Sequence, residues 1–110
     1  MLLQIQLLLC KILVCRIGQI ISSCVCVIIP NLTGNVRPCA FVENVVTHSQ
    51  HRGKGYATEC LNFAKVIAEK QNCYKMMLLT GSKEQKTLDF YKYAGYNCAD
   101  KAAFIQWIDM

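Results

Sequence analysis

Charge is scarce in this chain. Acidic and basic side chains together make up 17% of its 110 residues, against 54% apolar residues. An ordinary solvated surface carries more charge, so part of the apolar content is expected to be exposed or covered by a second subunit, for instance in a homodimer. A long Lys/Arg run is also missing. The 12 basic and 7 acidic residues give a net charge of +5, but the basic ones are scattered. That argues against a nucleic-acid partner and suits a polyanionic cofactor. The N-terminus is apolar, yet Gln4, Gln6, Lys11 and Arg16 interrupt it. A membrane helix needs about 20 mostly apolar residues, so a buried helix or strand is expected there and no membrane partner. An early positive charge and a small-residue cleavage site are not evident, so no secretory leader is expected.

Paired C-x-x-C units are absent too, so no zinc or other metal site is expected. Eight cysteines are present nonetheless, at positions 10, 15, 24, 26, 39, 60, 73 and 98. Most stand in apolar runs, where a free thiol behaves as a small hydrophobe. Cys24 and Cys26 lie two apart in an apparent strand and so point the same way without bonding. The pattern reads as a reduced, cytoplasmic protein.

The length suggests one domain over residues 1–110, with residues 1–11 an atypical N-terminal segment. Ile12 to Ile17 and Ile20 to Ile29 read as strands joined by a turn at Gly18-Gln19, a hairpin ending at Pro30. Pro30 to Pro38 is a loop by composition. Cys39 to Thr47 is a third strand. Beyond Gly55, Ala57, Leu61, Ala64, Ile67 and Ala68 recur at helical spacing, with Asn62, Lys65 and Glu69 opposite, and the helix should end near Gln71-Asn72. Tyr74 to Thr80 has the length of a strand. Ser82 and Gln85 suggest a capping box for a second helix, which carries Leu88, Tyr91 and Ala94 inward and stops at Gly95. Ala102 to Trp107 is the expected last strand. The fold class is therefore α+β (mixed α/β) around one sheet that starts antiparallel and then crosses over.

The chain is organised around the passage from the third strand into the first helix: Val45-Val46-Thr47, a polar loop, then Arg52-Gly53-Lys54-Gly55-Tyr56-Ala57. A helix N-terminus carries unpaired N–H groups and partial positive charge. Gly53 and Gly55 leave those groups open, and Arg52 and Lys54 add donors. The residues alone describe a strand–loop–helix anion site for a phosphorylated cofactor. The Lys-Ser/Thr pair of a nucleotide P-loop and the G-x-G-x-x-G of a dinucleotide site are both absent.

Arg52 to Ala57 matches R/Q-x-x-G-x-G/A and resembles the pyrophosphate motif of the GNAT superfamily of acyl-CoA-dependent N-acetyltransferases. Residues 12 to 108 resemble that fold from its second strand onward. The usual first strand and two N-terminal helices are not recognisable before the hairpin; in the family those helices help to wall the acceptor site. The resemblance implies acetyl-CoA as co-substrate and direct transfer to a primary amine, with a small molecule the favoured acceptor. It implies that the backbone of Val45, Val46 and Thr47 holds the pantetheine arm and that Arg52, Gly53, Lys54, Gly55, Tyr56 and Ala57 hold the pyrophosphate. The segment Leu88 to Tyr96 resembles the family's second signature, in which a helical tyrosine, here Tyr91, protonates the leaving thiolate; the alternative is a core aromatic.

Glu43 is the base candidate. It stands in the segment Phe41-Val42-Glu43-Asn44-Val45-Val46, which resembles the strand found in acetyltransferases of sugar phosphates and other small amines. A half-buried carboxylate there has a raised pKa suited to proton abstraction. The alternative is an exposed strand face or an ion pair with Arg37. Asn44, expected on the opposite face, would orient substrate. His48 and His51 read as exposed loop residues, and no cysteine has the surroundings of a nucleophile. A truncated or inactive acyl-CoA-binding module is the competing functional reading.

Overall fold

The computed structural model describes residues 10–31 and 36–109. The expectations for Met1 to Leu9, and for the middle of the Pro30–Pro38 loop, fall outside the described residues. Four strands form one sheet in the order β1 (Cys10–Ile17), β2 (Gln19–Ile29), β3 (Cys39–Thr47) and β4 (Met76–Leu78). The first three are antiparallel neighbours, and β4 is parallel to β3. Two helices complete the chain, α1 (Tyr56–Lys70) and α2 (Gln85–Tyr93). This is the mixed, mostly antiparallel architecture that the sequence predicts.

β1 and β2 are rich in β-branched residues and meet through Gly18 alone, whose φ of +69° suits a residue without Cβ. The alternation in β2 puts Cys24, Cys26 and Ile28 on one face, where they meet Ala40 and Val42 of β3 and Cys60, Leu61, Ala64 and Ala68 of α1. Small residues on α1 let the helix lie close to the sheet. Ile67 packs at the margin as the stripe predicts; Cys60 belongs to the buried face as well. Cys24, Cys26, Cys39, Cys60, Cys73 and Cys98 are free thiols.

Both helices end through a residue with positive φ. In α1, Asn72 (φ +61°) lets its own N–H reach the Glu69 carbonyl at 3.1 Å while Cys73 N–H reaches that of Ala68 at 2.9 Å. In α2, Gly95 (φ +106°) and Tyr96 make the same pair to Lys92 and Tyr91, both at 3.0 Å. The predicted stops are therefore correct.

Three expectations are corrected. Ser82 and Gln85 do not form a capping box: α2 starts from Glu84, making Gln85 its first residue. Ser82 Oγ instead accepts from Glu84 N–H at 3.3 Å, a local turn. The run Tyr74–Thr80 pairs only over Met76–Leu78. Ala102–Trp107 is not a strand: its residues join no ladder of the sheet.

Candidate functional site

β3 changes phase halfway along. Ser23 pairs with Val46 and Val25 with Glu43, so the single residue Cys24 faces two, Asn44 and Val45. Asn44 takes up the extra residue at φ +54°, a conformation that asparagine tolerates better than most side chains. Before this bulge Ala40 and Val42 point to the core; after it Val45 and Thr47 turn that way, while Val46 is exposed. Strict alternation predicts opposite faces for Glu43 and Asn44, whereas both are exposed at the bulge. Glu43 is thus not half-buried, and the burial on which its selection as a base rested is absent. It forms no ion pair with Arg37, whose guanidinium donates to the Asn72 and Cys73 carbonyls, each at 3.2 Å.

The β3–β4 ladder stops at Val42–Leu78, although β3 continues for five more residues, Glu43 to Thr47. The two parallel strands therefore separate at the bulge. The open end of β3 is held from its other side. The buried Ser22 hydroxyl donates to the Val46 carbonyl at 3.1 Å, shares a hydrogen bond with Thr47 Oγ1 at 2.9 Å, and accepts from the Cys60 thiol at 3.8 Å. Ser22 escaped sequence reasoning; the only signal was the polar pair Ser22-Ser23 inside an otherwise apolar strand.

Beyond Thr47 the chain makes a short 3₁₀ turn, Ser49–His51, capped by His48 Nδ1, which accepts from Gln50 N–H at 3.2 Å. His48 is exposed as expected. His51 is half-buried instead, its ring edge-on to His48 and Tyr56 at 5.7 and 6.1 Å. Arg52 Nε donates to the Thr47 carbonyl at 3.2 Å, folding the loop back onto the strand. Gly53 and Gly55 have φ of +78° and +84°, and a Cβ at either would meet nothing within 4 Å. Their need for glycine is thus conformational, and the space beside them is open. α1 begins at Gly55 without any side-chain cap. Its first N–H groups, at Tyr56, Ala57 and Thr58, consequently face outward with the positive end of the helix dipole. Arg52, Gly53, Lys54 and Gly55 stand directly before that exposed end, with Arg52 and Lys54 themselves exposed.

Tyr91 lies elsewhere. It borders the main core cluster with Phe90, and its ring is edge-on to Tyr96 at 6.5 Å. Burial raises its pKa, with Cys24 a second cause. Cys24 is the residue opposite the bulge, so Tyr91 and the open part of β3 share one neighbour. Tyr91 also lines a cavity of about 640 Å³ with Met76–Thr80, Leu88 and Tyr96. Glu43 and the loop 52–57 are not among the lining residues. The structure therefore joins the loop 52–57 to β3, the strand that carries Glu43, and sets Tyr91 in a cavity that Glu43 does not line. Burial pushes the Cys24 thiol up to about 11, with Cys60 and Cys26 adding to it, the reverse of what a nucleophile needs.

Known proteins share this fold. A solved candidate acetyltransferase from Agrobacterium tumefaciens str. C58 superposes with a TM-score of 0.84 at 34% identity, over 96% of this chain and 76% of that one. Glucosamine-6-phosphate N-acetyltransferase from Arabidopsis thaliana shares the fold, with a TM-score of 0.75 at 22% identity over 84% of this chain and 60% of that one. In sequence, glucosamine 6-phosphate N-acetyltransferase of Trypanosoma brucei brucei is 27% identical over 84 residues, 76% of this chain. The chain spans 55% of the length of that curated relative. The model of the acetyltransferase (GNAT) family matches residues 5–96, from before the hairpin to the cap of α2. With the strand opening and the glycine-bounded helix start inside that match, the chain belongs to the GNAT family of acetyltransferases.

Proposed function

We propose that the protein transfers an acetyl group from acetyl-CoA directly to a primary amine of a small molecule. The observation that carries this reading is the parting of β3 from β4 at the bulge, directly before an uncapped helix N-terminus bounded by Gly53 and Gly55. In this reading the backbone of Val45, Val46 and Thr47 lies along the pantetheine arm. The N–H groups from Gly53 to Ala57 hold the pyrophosphate, with Arg52 and Lys54 adding charge. Placing thioester and amine together removes much of the entropic barrier. Tyr91 hands its phenolic proton to the departing sulfur. Its raised pKa keeps that proton available through and above neutral pH.

Proton removal from the amine falls to Glu43 or to water. Glu43→Gln distinguishes them: a flattened rising limb of the pH–rate profile assigns the base to Glu43, and an unchanged profile assigns it to water. Asn44, at the bulge beside the opening, orients the acceptor in this reading. The glucosamine 6-phosphate acetyltransferases among the relatives make an anionic amino sugar the first acceptor to try, and the net charge of +5 favours such a molecule.

The test is calorimetric titration with acetyl-CoA. Saturable one-site binding is expected, weakened at least about 100-fold by Gly55→Glu, which sets a strained side chain and a negative charge at the phosphate position. A folded protein that does not bind, or a Gly55→Glu variant that binds normally, would overturn the assignment. Binding without turnover on any amine would instead favour an acyl-CoA-binding module, a reading that the exposure of Glu43 supports.

A further inference from the structure

Residues 48–55 link β3 to α1, and among them His51 alone is not exposed. It closes the 3₁₀ turn Ser49–His51, where its N–H donates to the His48 carbonyl at 2.9 Å. Its ring meets that of Tyr56, the first residue of α1, edge-on, with centroids 6.1 Å apart and planes at 68°. The His48 ring meets it as well, at 5.7 Å. Rings in this arrangement attract through their quadrupoles as well as through the area they bury. The contact between His51 and Tyr56 ties together the two ends of the span Arg52–Gly55, where Gly53 and Gly55 would otherwise leave the backbone free.

The His51 ring also carries a cost. Its Nδ1 is buried without a hydrogen-bond partner, and no other buried side-chain nitrogen or oxygen among the described residues lacks one. A ring nitrogen in that state costs stability that a plain phenyl ring would not. The net gain of the imidazole to the fold is therefore small, while its ring contact falls where the loop must keep its shape. We propose that His51 is a positioning residue: through Tyr56 it fixes the loop 52–55 and the first N–H groups of α1 before the cofactor arrives. This rests on the reading of that loop as the pyrophosphate site. A loop already in its bound shape binds more tightly, because the cost of ordering it is removed from binding.

Calorimetric titration with acetyl-CoA, urea unfolding and limited trypsin digestion test this on the whole chain. His51→Ala should weaken acetyl-CoA binding roughly 3- to 10-fold. Its unfolding midpoint should hardly move, because loss of the ring contact and release of the unpaired nitrogen offset each other. His51→Phe keeps a ring and drops the nitrogen, so it should restore the affinity and raise the midpoint. Tyr56→Ala should weaken binding as His51→Ala does, and the double variant should be no weaker than either alone. Trypsin reads the loop without any ligand: cleavage after the exposed Arg52 and Lys54 should be several-fold faster in His51→Ala than in the unaltered chain or in His51→Phe. Unchanged affinity in His51→Ala, additive losses in the double variant, or a His51→Phe chain that stays weak would overturn the proposal. An unaltered chain that does not bind acetyl-CoA overturns the functional reading instead. Equal trypsin rates in that chain and in His51→Ala overturn the role of His51 whatever binds.

Discussion

The molecule divides at Ala68. The side chains described as buried lie in β2, β3 and α1; beyond Ala68 no described residue is buried. The second region is not short of apolar residues, since it holds Met76, Met77, Leu78, Leu79, Phe90 and Trp107. It is short of partners: β4 has three paired residues, and α2 touches the core only at its margin through Phe90 and Tyr91. The comparison teaches that the proposed phosphate loop is anchored in the densely packed half, whereas the proposed acid belongs to the loosely packed one. Cofactor recognition and proton delivery should therefore differ in how sensitive they are to damage.

The hardest blow to the packed half is Leu61→Ala. It removes a side chain 3% exposed in the main cluster and should cost about 2–4 kcal/mol in urea unfolding. The matching change in the loose half, Leu88→Ala, should cost less than about 1 kcal/mol, since Leu88 is half-exposed. Equal costs would abolish the division at Ala68. Next in size, Tyr91→Phe should lower kcat about 100-fold with little change in acetyl-CoA affinity. Equal loss of both would make Tyr91 a packing residue. Gly95→Ala forces a Cβ into φ +106° at the end of α2 and should destabilise by about 1 kcal/mol, loosening Tyr91 with it.

The two halves also differ at alkaline pH. Burial lifts Tyr96 from 10.0 to about 12 in the folded chain, so the stability it contributes is complete below pH 10 and lost as pH rises towards 12. Cys24, lifted from 9.0 to about 11, begins the same decline one unit lower, from the packed half. Tyr96→Phe should remove only the upper part of the decline, read from unfolding curves at successive pH values. Removal of the whole decline would show that the packed half adds nothing to it.

The packed half was also the legible half. The β-branched runs around Gly18, the apolar stripe of α1 and its stop at Asn72 follow from local patterns that tertiary packing then reinforces. The start of α1 at Gly55 was equally readable, because its signal lies in six consecutive residues, Arg52 to Ala57. The bulge was not: an asparagine in a strand marks a left-handed position only weakly, and missing it misdirected the expectations for Glu43 and Asn44. The Ser22 network joins residues 25 and 38 positions apart, beyond any local signal. Ala102–Trp107 reads as a strand because its composition is that of one, but a strand is completed by its neighbour, which composition does not supply.

The bulge at Asn44 acts as a parity switch. With one residue fewer in β3, Val46 would take the inward position now held by Val45 and Thr47. The Thr47 hydroxyl would turn away from Ser22, and the loop would set out from the opposite side of the sheet. A single left-handed residue thereby determines on which side the chain departs towards α1. Single-residue deletions between Val42 and Thr47 should be tolerated far worse than substitutions there, whatever the side chain removed.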